Sequence, residues 1–75
     1  MRFSKGELVK NEILDIYGFV MKIDSINTKN EIWITVVSDF KGIRGFYAPS
    51  RCFSKVTSII PYAARLKLKA VEKYV

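Results

Sequence analysis

For its first 60 residues the chain alternates between short runs of period-two hydrophobicity and polar breaks, and it then changes to a longer pattern rich in alanine and lysine. Successive strand residues point to opposite faces of a sheet, so each alternating run predicts a strand with one face toward a core. KGELV is a glycine turn feeding a first strand, with Leu8 or Val9 turned inward and Asn11 and Glu12 interrupting it. In ILDIYGFVMKID, residues Tyr17, Phe19, Met21 and Ile23 share one face, and Val20, Lys22 and Asp24 share the other. Gly18 within that run predicts a bulge or sharp bend, which lets a short sheet curl. The polar stretch SINTKNE, with Asn27 and Asn30, predicts a loop. EIWITVVS sets Ile32, Ile34 and Val36 toward the core and Trp33, Thr35 and Val37 on the opposite face. Trp33 is therefore expected to be partly exposed, although both faces are apolar enough to be covered.

A tight turn through SDFKG follows, and both Gly42 and Gly45 suit positive φ. RGFYA predicts the next strand, and Pro49 presses Ala48 toward an extended conformation and starts a helical turn, SRCF. SKVTSII predicts a last strand, ended by Pro61, which has no amide proton to give a ladder. The tail, 61–75, is built largely of helix formers with Pro at its start. At 100° per residue, Arg65, Lys69, Glu72 and Lys73 gather on one side, and Leu66, Ala70, Tyr74, Ala63, Val71, Val75, Ala64 and Leu68 spread over the other. RLKLKAV also alternates with period two, so a final strand is the rival reading.

From Trp33 to Val56 the chain resembles the C-terminal half of a Src-homology-3-type barrel. The matching residues are Trp33, Gly42, Gly45, Pro49, Ser50 and Val56. The resemblance implies a mainly β fold: a small five-stranded Src-homology-3-like barrel over 1–60, followed by a C-terminal α-helix over 61–75. Members of that family that grip polyproline do so with paired aromatics and an acidic first loop. Here the first loop is short, Ile34 stands where a second tryptophan would follow Trp33, and Arg51 or Cys52 replaces the tyrosine of the helical turn. The segment between Gly45 and Pro49 is also one residue longer, so polyproline is not the expected ligand.

Composition narrows the function. A chain of 75 residues makes one domain, and such a domain buries only about 60% of the surface its unfolded chain exposes. Cys52 is the lone cysteine and histidine is absent, which excludes an internal disulfide and a zinc site of the usual spacing. Self-association is the remaining means of adding burial, and the apolar arc of the tail, with Leu66, Leu68, Val71, Tyr74 and Val75, is wide enough to meet both its own barrel and a second copy. Thirteen Lys and Arg against seven Asp and Glu give a net charge of +6, which favours a polyanionic partner. No apolar run is long enough to span a membrane and MRFSKGE lacks the core of a signal peptide, so a reduced, cytoplasmic setting is expected.

Catalysis has little to stand on. There is no near-neutral base, and the carboxylates are scattered as Glu7, Glu12, Asp15, Asp24, Glu31, Asp39 and Glu72. Asp15 and Asp24 can meet only across a sheet. Cys52 has Arg51 and Lys55 nearby to favour a thiolate, but a small buried apolar residue in the helical turn is the better explanation. GIRG lacks the Lys-Ser/Thr of a phosphate loop. No catalytic residue, cofactor or metal is expected.

What remains is a basic and aromatic constellation. Lys22, Lys41, Arg44, Arg51 and Lys55 interleave with Trp33, Phe40, Phe46 and Tyr47. Cations hold phosphates while exposed rings stack on bases, a means by which barrels of this size bind nucleic acid. If Phe46 points inward, Tyr47 points outward. A nucleic-acid-binding module is thus the first expectation. The second is a protein-interaction module, a small regulator or inhibitor docking on an acidic surface, with a composition that suits an accessory protein of a virus or mobile element.

Overall fold

The computed structural model describes residues 3–26 and 31–75. Five strands form one antiparallel sheet: β1 (Leu8–Asn11), β2 (Ile16–Ile26), β3 (Glu31–Asp39), β4 (Ile43–Pro49) and β5 (Phe53–Lys55), in the order β4-β3-β2-β1-β5. A single 3-10 turn, Ser50–Cys52, joins β4 to β5, and the helix α1 spans Tyr62–Glu72. The fold is mainly β with one C-terminal helix, as expected, and the rival strand in the tail does not form. Asn27 and Asn30 of the expected loop, and the basic tip at Arg2, lie outside the described residues.

β2 is the longest strand because it serves two partners. Its first part pairs with β1, from Asn11↔Ile16 to Leu8↔Phe19, and from Gly18 onward it pairs with β3. Val9, Val20, Ile34, Val36 and Phe53 form the inner cluster, against which Phe46, Ala48, Cys52 and Phe3 pack. In a flat sheet the two edge strands would stand about 19 Å apart, four strand spacings. Yet Phe46 and Ala48 from β4 and Phe53 from β5 share one cluster, so the sheet is curled into a small barrel-like form.

The device that bends β2 differs from the expected one. Its irregularity lies between Val20 and Lys22, and Gly18 keeps regular partners, Val9 on one side and Ser38 on the other. Gly18 is needed instead for close approach: a Cβ there would lie 2.5 Å from the carbonyl oxygen of Val37 and 2.7 Å from Ser38 Oγ. With Met21 as the extra residue, the alternation expected from Tyr17 to Ile23 is broken. Val20↔Val36 and Ile23↔Ile34 both face inward, while Phe19↔Val37 and Lys22↔Thr35 face outward.

Three other expectations are corrected. Gly45 lies in regular β4 opposite Val37, and positive φ falls on Gly6, Gly42, Asp15 and Lys41. The last strand begins at Phe53 and ends at Lys55, because β1 offers it partners only from Asn11 to Val9. Ile34 and Val36 are buried, but Ile32, at the start of β3, is exposed. On β1 it is Val9 that is fully buried, with Leu8 half-buried. Asn11 closes the β1–β2 turn by accepting the amide protons of Ile13 and Leu14 at 3.0 Å each.

α1 covers part of the outer face of the sheet. Leu68 and Val71 are buried but do not belong to the inner cluster, and the helix lies against β2 and β3. Val37, which faces outward by register, is buried as well. Hence β3 reads as buried on both faces toward its C-terminal end and alternates toward its start. Pro61 Cα precedes the helix and its carbonyl accepts the first helical bond from the Arg65 amide at 3.0 Å.

Candidate functional site

The helix leaves part of the outer face uncovered. On it, the cross-strand partners Trp33↔Asp24, Thr35↔Lys22 and Thr35↔Tyr47 place Trp33, Tyr47, Thr35, Lys22 and Asp24 on one side of the sheet. The rings of Trp33 and Tyr47 lie 5.0 Å apart at an interplanar angle of 41°. Tyr47 is half exposed and Trp33 less so, as the strand alternation predicts. The ring pair is held from one side. The indole N–H of Trp33 donates to Glu31 at 3.1 Å, and the other oxygen of Glu31 is held by Arg51. Pro49 opposite Trp33 and the 3-10 turn after it bring Arg51 back to the start of β3.

The cations expected to accompany these rings do not all gather there. Lys22 and Arg51 do. Lys41 and Arg44 stand at the β3–β4 hairpin, where Lys41 lies 5.9 Å from the centre of the Phe40 ring and Phe40 meets Phe46 edge-on at 6.1 Å. Phe46 itself packs on the inner cluster, so the inward-outward alternation of Phe46 and Tyr47 holds. Lys55 is on β5, the opposite edge strand of the sheet, paired with Glu7 at 3.2 Å and 5.7 Å from the Phe3 ring centre.

Ion pairing divides the charge unevenly. Lys22 pairs with Asp24 at 3.7 Å, Arg51 with Glu31, Lys55 with Glu7, and Lys10 with Asp15 at 3.1 Å and Glu12 at 3.8 Å. The hydrogen bond to Asp15 holds the Lys10 ammonium above its ordinary pKa, against a smaller opposing effect of burial. Glu7 is held below the ordinary carboxylate value chiefly by the Ser4 amide, which donates to it at 2.9 Å, with burial opposing and Lys55 adding to the effect. Each of these four cations therefore already has a carboxylate, and away from the helix only Lys5, Lys41 and Arg44 among the described residues enter none of these pairs. The helix is different. Arg65, Lys67, Lys69 and Lys73 are all exposed, and none of the ion pairs among the described residues includes them. Their only acidic neighbour in sequence is Glu72. This cluster was visible in the composition of the tail but not its significance, because the pairing of Arg51 with Glu31 and of Lys55 with Glu7 is a tertiary effect.

Of the tail residues expected to serve self-association, Leu68 and Val71 are buried against this chain's own sheet, whereas Leu66, Tyr74 and Val75 are half exposed. Asp15 and Asp24 stand at opposite ends of β2, each beside a lysine, and are not brought together. Cys52 is half-buried and packs against the inner cluster. Among the described residues no three acidic or cysteine side chains gather as a metal would require, and no helix is long and apolar enough to cross a membrane. Comparison with protein-family models, curated proteins and solved structures finds no match for this chain.

Proposed function

We propose that this chain is a non-catalytic binding module that takes single-stranded nucleic acid on the uncovered part of its outer face. The observation that carries the reading is the Trp33–Tyr47 pair, two neighbouring rings on a sheet face that the helix leaves open. Unpaired bases stack on such rings at about 1 to 3 kcal/mol per base, and every base has a face to offer, so the binding is tolerant of sequence. Thr35 and Lys22 beside the rings add a hydroxyl and an ammonium within the same patch. The barrel is read as Src-homology-3-like, which is supported by the order of its parts: a tryptophan-bearing strand, a tight hairpin, a glycine-bearing strand, and one 3-10 turn into the last strand. A reduced, cytoplasmic setting suits the free Cys52.

Fluorescence anisotropy of a labelled oligothymidylate at low salt tests the proposal. Saturable binding that falls at least tenfold in Trp33→Leu,Tyr47→Ala supports it, and binding unchanged by that double substitution sinks it.

One observation favours a second reading, a protein-interaction module. The two cations nearest the ring pair, Lys22 and Arg51, are already matched by Asp24 and Glu31, so the patch itself is close to neutral. A neutral aromatic patch with a polar rim resembles the centre of a protein interface. In that case the chain would bind no oligonucleotide at low salt.

A further inference from the structure

The stacking patch has a weakness as a nucleic-acid site, because its own cations are paired. Phosphates bind proteins largely by displacing counterions from the nucleic acid as Lys and Arg take their place. A lysine or arginine already beside a carboxylate supplies little of this effect. Breaking an exposed ion pair costs only about 1 kcal/mol or less, but it leaves Asp24 or Glu31 facing the incoming phosphate. The free energy that makes binding salt-dependent has to come from elsewhere on the surface.

We infer that the outward face of α1 is the phosphate-binding surface, and that a single strand stacked on Trp33 and Tyr47 continues across the helix. This rests on the reading above that the ligand is single-stranded nucleic acid. Leu68 and Val71 fix which side of the helix meets the sheet. On the sides turned away from it, Arg65, Lys69 and Lys73 follow one another at intervals of four residues, a row of about 12 Å at helical rise. Lys73 continues the row beyond the last helical residue because its backbone keeps helical angles, φ −67° and ψ −13°. Each end of the row carries a ring: Arg65 lies 5.8 Å from the centre of the Tyr62 ring and Lys73 lies 5.4 Å from that of Tyr74. Cations with aromatic neighbours and no carboxylate partner are what a flexible single strand needs on its path.

The two surfaces also lie on the same side of the molecule. α1 rests on the outer face, the face that carries Trp33 and Tyr47. Tyr74 and Val75, which follow its C-terminal end, border Met21, the bulged residue directly before Lys22, whose partner Thr35 is also the partner of Tyr47. A strand leaving the ring pair past Thr35 and Lys22 therefore meets the C-terminal end of α1 first and reaches Lys73 before Lys69 and Arg65.

The test is the salt dependence of binding to a fluorescein-labelled oligothymidylate of about 16 nucleotides. Three proteins are compared: the unaltered chain, Arg65→Gln,Lys69→Gln,Lys73→Gln, and a control with the same loss of charge elsewhere, Lys5→Gln,Lys41→Gln,Arg44→Gln. All six residues are exposed, so circular dichroism should match in all three. The expected result is that the helix variant flattens the slope of log K against log salt by about 2, three contacts at about 0.7 each, and the control by much less. Equal slopes in the unaltered chain and the helix variant, with binding retained, overturn the helix as phosphate surface and leave the stacking site standing. Equal flattening by both variants overturns it too, since net charge alone would then explain the effect. No binding by the unaltered chain at low salt overturns the nucleic-acid reading itself, and capture of an acidic protein in its place would favour the second reading.

Discussion

Gly18 and Val36 approach so closely across β2 and β3 that the glycine has no room for a methyl group, since a Cβ at Gly18 would lie 2.5 Å from Val36 Cγ1. The carbonyl of Val37 is equally near and cannot swing aside as a side chain can. Gly18→Ala is expected to destabilise the fold by about 1 to 3 kcal/mol, the usual cost of forcing atoms into a filled core. Gly45→Ala is the contrast, because its added methyl would meet only Thr35 Cγ2 at 3.8 Å. Urea denaturation of both variants checks this: equal midpoints would show that β2 and β3 are not packed as described.

Leu66 and Leu68 separate the two faces of α1. Leu68 is 8% exposed and Leu66 is 50% exposed. Leu68→Ala should cost about 2 to 4 kcal/mol of stability, whereas Leu66→Ala should fall within about 0.5 kcal/mol of the unaltered chain. The reverse order in thermal or urea unfolding would mean that the helix docks by its other face.

How much of this was legible in the sequence varies by element. The strands, the 3-10 turn after Pro49 and the helix after Pro61 follow from period-two runs, turn residues and helix formers, all of which are local. The outward position of Tyr47 and the partial exposure of Trp33 came from alternation alone. Gly18 was legible as special but not as a close-contact residue, because a glycine in a strand signals a bulge and a crowded neighbour in the same way. The bulge at Met21 left no local mark. Nor could the sequence show that Lys22, Arg51 and Lys55 are spent on Asp24, Glu31 and Glu7, since two of those three pairs join residues distant in the chain. That pairing leaves the helix with the largest group of unpaired cations among the described residues, beside Lys5, Lys41 and Arg44.

Glu7 provides a pH test of the link between the N-terminal turn and β5. Its pKa is depressed in the folded chain from the ordinary 4.5, first by the Ser4 amide and further by Lys55. The stability this contributes is present above the ordinary value and is lost as pH falls through the depressed one. The stability difference between the unaltered chain and Glu7→Gln should therefore be constant around neutral pH and shrink in acid, below the ordinary carboxylate range. A difference that does not change from neutral to acid pH would show that the charge on Glu7 contributes nothing.

The central claim is that bases stack on the Trp33–Tyr47 pair, and Trp33 is the chain's only tryptophan, so its own fluorescence reports on the site without a label. The unlabelled chain is titrated with oligothymidylate at low salt and then back-titrated with salt. The account predicts saturable quenching of Trp33 that salt reverses and that Tyr47→Ala weakens. Binding detected by light scattering or sedimentation with the Trp33 emission unchanged in intensity and wavelength would contradict it, because the strand would then be held on a surface that does not include the rings.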